Sequence, residues 1–249
     1  MKLRTKIPVL LVPIIVLSML LLGWFAYTKL REASEQRVFA EMRASLDHLR
    51  EHMETEIETA RGNIELLSKQ TLVRKYILTD DEEERYSLLQ APLMRLFSSY
   101  QEAFPEYYEI RIFLTDGYED ARQTYPFLEN VTEEEGDSNL FRGMQSSGEE
   151  IYSTVYRNPD NGKMSLFFGK PLFLVNRAVD PIGVKPRLRG YVGITVDLGE
   201  VESHVRDDVI SETGYLFATD GGGNVIFESL RRPVTGVVTG GFAGSFLDL

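Results

Sequence analysis

Twenty-one consecutive residues near the start of the chain, Ile7–Tyr27, carry no formal charge. At about 1.5 Å per residue, a helix of this length is long enough to cross a hydrocarbon core of about 30 Å. Basic residues precede the run and aromatic residues end it: Lys2, Arg4 and Lys6 before, Trp24 and Tyr27 after. A basic side and an aromatic belt favour a cytoplasmic N-terminus. We therefore assign residues 1–6 to a cytoplasmic basic stub and residues 7–28 to a transmembrane helix.

A cleaved signal peptide is the alternative interpretation of the same run. The apolar core of a signal peptide is usually about 7–15 residues long and ends at small residues. Here the run is longer and ends in Trp24-Phe25-Ala26-Tyr27-Thr28, which lacks the small-residue pattern of a cleavage site. These differences favour an uncleaved anchor with the remainder of the chain outside the cell membrane.

The chain beyond the stub is acidic. Its net charge is −14, because the −11 of the whole chain includes the three cations of the stub. Nucleic-acid binding needs a basic patch that neutralises phosphates, so this composition indicates no nucleic-acid partner. The absence of cysteine excludes disulfides and thiolate metal sites.

A long amphipathic helix is predicted to follow the anchor. Apolar residues recur there at steps of three or four: Phe39, Met42, Leu46, Leu49, Met53, Ile57, Ala60, Ile64 and Leu67. No proline interrupts the segment, so the helix is expected to continue from the membrane to a break near residues 79–81. Such a stripe either packs on its own domain or pairs with a second copy as a coiled coil, and each could hold on different portions. We expect a homodimer through this helix.

A second helix is predicted over about residues 81–103, so that residues 29–104 form a helical region. One side of it is apolar: Leu88, Leu89, Leu93, Leu96, Phe97, Tyr100 and Phe104.

The period of the apolar residues changes at Pro105. Alternation typical of strands predicts five of them, over residues 108–114, 118–124, 150–157, 163–175 and 190–198, with the last one central. Residues 129–139 are predicted to be an acidic loop. A short helix over residues 199–210 and a hairpin over residues 213–220 and 224–228 are expected to follow. Long helices followed by antiparallel strands indicate an α+β fold.

Six short stretches follow the membrane helix in a fixed order. They read YEIR at 108–111, DGYE at 116–119 followed by Arg122, GEEIYS at 148–153, NGK at 161–163, RGYVGITVDL at 189–198, and TGYLF at 213–217 followed by GNVI at 223–226. In these stretches and their order the chain resembles the double Cache family, the PAS-like extracytoplasmic sensors of bacterial chemoreceptors, histidine kinases and diguanylate cyclases.

The resemblance implies an organisation and a location. Residues 105–210 would form the membrane-distal PAS-like module and residues 211–249 the start of an incomplete membrane-proximal one, so that we expect the sequence to be a fragment or a truncated product. The resemblance also implies a bacterial inner-membrane protein whose sensor domain is periplasmic or extracellular. Members of the amino-acid type carry Arg-x-Trp-Tyr and Tyr-x-Asp runs, which are missing here, so an amino-acid ligand is not supported.

Candidate ligand-binding residues lie on the predicted strands. Arg111 and Arg122 could clamp a carboxylate, or they could be exposed or pair with neighbouring acidic residues, namely Glu109, Glu119 and Asp120. Three tyrosines, Tyr108, Tyr152 and Tyr156, could form aromatic walls with hydrogen-bonding tips, or could simply pack. Asp197 could bind a ligand cation or cap the helix predicted near Gly199.

The sequence favours a sensory function over catalysis. His48 and His52 share a helix face, but no third metal ligand has a convincing spacing, and no nucleophile motif occurs. We predict no metal, no cofactor and no enzymatic activity on this chain. The prediction is a sensory region that binds a small ligand, with an organic anion as the favoured class, and signals through the membrane helix to an output domain outside this sequence. The alternative is a membrane-anchored structural or interaction protein with a coiled-coil helix and no small ligand.

Overall fold

A computed structural model describes residues 3–127, 129–130, 134–199, 217–219 and 225–228. The chain divides into two compact units that meet between Arg50 and Glu51. Helix α1, Leu3–Lys69, contributes to both. In the first unit its side chains from Ile14 to Leu30 are exposed. In the described part of the chain, this is the one helix long and apolar enough to cross a membrane.

The predicted apolar stripe of α1 divides into an unburied and a buried portion. Phe39, in the first unit, is 65% exposed, whereas Ala60, Ile64 and Leu67, in the second unit, are fully buried. There Asn63 Nδ2 donates a hydrogen bond of 2.8 Å to the hydroxyl of Tyr107, a residue of the sheet. The last turns of α1 therefore pack on their own domain. This is the first of the two alternatives given above, the other being a coiled coil.

The long helix ends earlier than predicted. α1 stops at Lys69, and α2, Thr71–Leu78, begins after Gln70, whose backbone is extended. After Leu67 the next inward positions would fall on Gln70 and Thr71, which are polar, and apolar burial resumes only at Val73. The break therefore lies where the apolar stripe loses its period.

The second predicted helix consists of three pieces. They are α3, Glu82–Glu84, a π-helical segment, Arg85–Leu89, and α4, Gln90–Ala103. Leu89, Leu93 and Phe97 are buried as predicted. Leu88 is 62% exposed, so its predicted place on the apolar side is wrong. The π-helical turn is wider than an α-turn and shifts the phase of the apolar face at this point.

The second unit is built on a five-stranded antiparallel sheet. Its strands are β1, Tyr107–Phe113; β2, Glu119–Thr124; β3, Tyr152–Arg157; β4, Met164–Leu174; and β5, Arg187–Asp197. Their spatial order is β2-β1-β5-β4-β3, so the predicted central strand is confirmed. The predicted α+β class, with a long helix and an antiparallel PAS-like sheet, is confirmed as well.

Helices cover one face of this sheet. α4 contacts β1 and β2, and α2 contacts β5. On the same side Arg85 of the π-helical segment forms a buried ion pair with Asp120 of β2, Nη2 to Oδ1 at 3.0 Å. Since successive residues of a strand alternate between faces, Glu119 and Arg111 lie on the opposite face.

Helix α5, Asn139–Ser147, was not predicted. The sequence does contain signals for the two ends of this helix. The Ser138 side chain accepts a hydrogen bond from the Phe141 amide at its start, and Gly148 ends it with a positive φ of 66°. The predicted acidic loop ended at residue 139, and no element was predicted between it and the strand that begins at residue 150.

The last described elements are β6, Phe217–Thr219, and β7, Val225–Glu228, which pair antiparallel. They confirm the predicted hairpin over these residues. The helix predicted over residues 199–210 and most of the module predicted over residues 211–249 lie outside the described residues.

Candidate functional site

A cluster of buried charged and polar side chains occupies the face of the sheet opposite α2 and α4. Arg111 on β1 lies in register with Arg122 on β2 and with Gly193 on β5. Tyr156 on β3 and Ser165 on β4 are likewise register partners. The strand period thus brings residues from all five strands onto one surface, although they are spread over more than 80 positions of sequence.

Arg111 is at the centre of the cluster and is 1% exposed. Its Nη1 donates to Glu119 Oε2 at 3.2 Å and to Glu135 Oε1 at 3.0 Å, and its Nη2 donates to the Tyr156 hydroxyl at 3.2 Å. Its Nε lies 3.2 Å from Glu109 Oε2. The guanidinium is therefore held by one tyrosine and three carboxylates.

Two aromatic rings, which contact each other edge-on at 6.4 Å between centroids, lie beside the same guanidinium. Its central carbon lies 4.9 Å from the ring centroid of Phe113 and 5.4 Å from that of Phe167. Gly193 makes room for these rings, because a Cβ at that position would lie 2.7 Å from a ring carbon of Phe167. Arg111 is thereby fixed in position by contacts with aromatic rings as well as by charge.

Arg122 extends the ion network toward the β3–β4 turn. Its Nε donates to Glu109 Oε1 at 2.7 Å, and its Nη2 donates to Asp160 Oδ2 at 2.5 Å. Glu109, which is fully buried, also accepts a hydrogen bond of 2.9 Å from the Thr195 hydroxyl. One carboxylate thus links both arginines to the central strand.

A hydroxyl and amide network adjoins the charges. The Tyr108 hydroxyl lies 3.2 Å from Ser165 Oγ and accepts a short hydrogen bond from Asn158, whose amide also reaches the Tyr156 hydroxyl at 3.3 Å. Burial raises the pKa of Tyr108 and that of Tyr156, so both stay neutral at physiological pH and can donate as well as accept.

The carboxylates of the cluster outnumber its cations. Glu109, Glu119, Glu135 and Asp160 face two guanidinium groups, those of Arg111 and Arg122. Burial raises the pKa of Glu119 to about 7, and the nearby Glu109 adds to the rise while both arginines oppose it. The cluster therefore has more carboxyl groups than guanidinium groups, and burial favours the protonated form of one of them, Glu119.

An apolar patch continues the same face. Phe113, Phe167 and Tyr191 of the sheet pack against Leu140, Phe141 and Met144 of α5, with Tyr152, Tyr156 and Leu188 beside them. Phe141 meets Tyr191 edge-on at 5.2 Å between centroids. The candidate site is thus a charged centre next to an aromatic wall, the composition expected of a small-molecule site.

The structure brings together most of the predicted site residues. Tyr108, Arg111, Arg122 and Tyr156 share the cluster, and Tyr152 lies against the apolar patch. Asp197 lies apart: its Oδ2 is 3.2 Å from Lys163 Nζ and its Oδ1 accepts from the Gly199 amide at 2.8 Å. The helix that Asp197 was predicted to cap lies outside the described residues.

Several members of the cluster were not predicted as site residues. They are Glu135, Asn158 and Asp160, from loops, and Thr195 and Ser165, from strands. Glu109 and Glu119 were predicted only as partners of the arginines, which they are. Asp120, the third such candidate, pairs with Arg85 instead.

A separate open groove of about 710 Å³ lies between α2 and residues 175–178. Cations and acids both line it: Lys69, Arg74, Lys75 and Arg177 against Asp80, Asp81 and Glu84. None of the predicted site residues reaches it. Its mixed charge favours no ligand class.

Comparison with protein-family models found no match, and no curated protein matches either. Among solved structures, the sensor domain of the V. cholerae histidine kinase DctB matches with a TM-score of 0.57 and 14% identity, over 78% of this chain and 67% of that one. A domain of a sensory box/GGDEF family protein from Vibrio parahaemolyticus matches with a TM-score of 0.56 and 15% identity, over 77% and 71%.

The extracellular domain of a further histidine kinase, vpHK1S-Z8, matches with a TM-score of 0.54 and 14% identity, over 77% and 68%. At these identities the likeness establishes the fold. The chain has the fold of extracytoplasmic sensor domains, and the predicted resemblance to the Cache type of sensor is confirmed at that level.

Proposed function

We propose that this chain is the extracytoplasmic sensory region of a bacterial transmembrane receptor. One observation carries the proposal: a sensor-domain fold follows, in the same chain, a helix long and apolar enough to cross a membrane. Residues 7–28 would span the inner membrane, residues 1–6 would be cytoplasmic, and the sheet would lie on the periplasmic or extracellular side. The output domain, whether kinase, diguanylate cyclase or chemotaxis module, would lie outside this sequence.

The ligand we propose is a small organic anion, bound on the sheet face that carries Arg111. This guanidinium is positioned by contacts with two rings, and the fork of an arginine suits recognition of a carboxylate. The Tyr156 and Tyr108 hydroxyls and the apolar patch beside them would supply orientation and shape. Arg122 would help to position Arg111 indirectly, because it binds Glu109, which lies beside Arg111 Nε.

Signalling would use a pair of chains. The α1 stripe is exposed at Phe39 and only half-buried from Met42 to Ile57, which suits coiled-coil pairing with a second copy. A ligand would shift the arrangement of the paired helices only through different affinities for two arrangements of the sensor domain. We propose that the two long helices transmit that difference to the membrane.

One observation favours the structural alternative. Within the described part of the chain, both terminal nitrogens of Arg111 already donate to protein groups. A network satisfied in this way could serve the fold alone, in a membrane-anchored interaction protein without a ligand. Neither function requires catalysis, and the matched domains are sensor domains rather than catalytic ones.

Membrane topology tests the proposal, and the natural absence of cysteine makes the test clean. We expect Glu149→Cys, at an exposed position next to β3, to react with a membrane-impermeant maleimide in intact cells. Lys2→Cys, in the basic stub, should react only after lysis. The two variants are matched controls for each other. Labelling of Lys2→Cys alone in intact cells, or of neither variant, would overturn the proposed location.

A further inference from the structure

Glu135 differs from the other two carboxylates that hold Arg111. Glu109 and Glu119 belong to the strands β1 and β2, and their positions follow from the sheet itself. Glu135 comes from the connection between β2 and α5, and its Oε1 accepts from Arg111 Nη1 at 3.0 Å. It is therefore the one carboxylate on Arg111, among those described, that can leave without a change in the sheet.

The position of Glu135 connects the cluster with the surface. Its side chain is 4% exposed, whereas the neighbouring Glu134 and Asp137 are exposed. Its backbone is anchored on both sides, because its amide donates to the Gly117 carbonyl at 3.1 Å and its own carbonyl accepts from the Ser138 amide at 2.8 Å. Only the side chain reaches inward. Truncation of this side chain to alanine would leave a space beside the guanidinium the size of one carboxymethyl group.

We infer that Glu135 occupies the anion subsite on Arg111 as an internal competitor, and that the ligand is a carboxylate that displaces it. The inference rests on the proposed sensory function and specifies its ligand class. The charge of the cluster favours replacement of Glu135 over addition of a further anion. A fifth carboxylate beside four carboxylates and two guanidinium groups would meet strong repulsion, whereas a ligand carboxylate that replaces Glu135 leaves the charge of the cluster unchanged.

Because Glu135 is part of the chain, a ligand that displaces it needs more contacts than a carboxylate alone can make. An intramolecular group competes with an effective concentration of millimolar or above, so a bare carboxylate cannot displace Glu135 at ordinary concentrations. The natural ligand must add contacts of its own, for which the Tyr156 hydroxyl and the rings of the apolar patch are in place. Its binding would free Glu135 and so carry the ligand signal to the segment that precedes α5.

Chemical rescue tests the inference on the full chain in detergent micelles. Glu135→Ala removes a carboxymethyl group, and acetate is the anion of matching size. At an acetate concentration ten times the Kd of acetate for this variant, we expect the melting temperature of Glu135→Ala to rise by about 3–6 °C. The expected rise does not depend on the melting temperature of the variant without acetate. Acetamide, and chloride at equal ionic strength, should have no such effect. The unchanged chain should not respond over the same range.

Two further variants complete the design. Glu134→Ala, on the neighbouring exposed residue, should behave like the unchanged chain. Glu135→Gln keeps the side-chain volume and should exclude acetate, and Glu135→Ser repeats the rescue if the alanine variant fails to fold. The inference would be overturned if acetate failed to stabilise Glu135→Ala and Glu135→Ser. It would also be overturned if acetate stabilised Glu134→Ala and the unchanged chain equally. Either would leave the proposed sensory function standing, since that is tested by topology and by ligands of the unchanged chain.

Discussion

Arg111→Gln should lower the free energy of unfolding by about 3–5 kcal/mol, the usual cost of removing one partner from a buried charge network. The substitution leaves Glu109, Glu119 and Glu135 facing one another in a buried site, with Arg122 as the only remaining cation of the cluster. It also removes the cation–π contacts of the guanidinium with the rings of Phe113 and Phe167. Urea unfolding of the full chain in detergent micelles, followed by circular dichroism, measures the effect.

Arg142→Gln is the matched control. Arg142 forms an ion pair with Asp137, but both side chains are exposed, and exposed pairs contribute about 0–1 kcal/mol. If both variants lost the same small amount of stability, Arg111 would not be the centre of a buried network.

The free energy of unfolding should fall as pH rises from 5 to 8, by up to about 3 kcal/mol, because of Glu119. Its pKa rises from the usual 4.5 to about 7 on folding, so the folded chain binds more protons than the unfolded chain in this window. The stabilisation by the bound proton is fully present below pH 4.5 and is lost as pH passes 7. The charged groups that face Glu119 are Arg111, Arg122 and Glu109, and Glu135 shares Arg111 Nη1 with it.

Glu119→Gln should flatten this slope, whereas Glu149→Gln, on an exposed carboxylate, should keep it. Two acidic groups act elsewhere: ion pairs and hydrogen bonds lower the pKa of Glu65 and that of Asp180, so their contributions are lost only as pH falls below about 4.5. A slope between pH 5 and 8 that survives Glu119→Gln would contradict the assignment.

The fold was largely predictable because its signals are periodic. Alternation placed all five strands of the sheet within a few residues of their observed bounds, and the apolar stripe located α1. The misses occur where the period is broken locally. Gln70 and Thr71 interrupt the stripe, the π-helical segment at Arg85–Leu89 shifts it, and the nine residues of α5 are too few to show one.

The site was predictable only in part. Arg111 and Arg122 could be singled out because they lie on adjacent predicted strands, and Tyr156 because a tyrosine offers a ring with a hydrogen-bonding tip. Glu135 did not, because it is one of several acidic residues between 129 and 139, and sequence alone cannot tell which one turns inward. Asn158 and Asp160 lie in the turn between β3 and β4. The sequence predicted this turn but not which of its side chains reach the cluster.

The most direct measurement is thermal unfolding of the full chain in detergent micelles against a panel of small carboxylates and amines. We predict that at least one carboxylate raises the melting temperature, and that its affinity falls about tenfold or more in Tyr156→Phe but not in Tyr191→Phe, whose ring lies in the apolar patch. A panel in which no carboxylate binds, or in which Tyr156→Phe binds as tightly as the unchanged chain, would contradict a carboxylate-sensing site on Arg111.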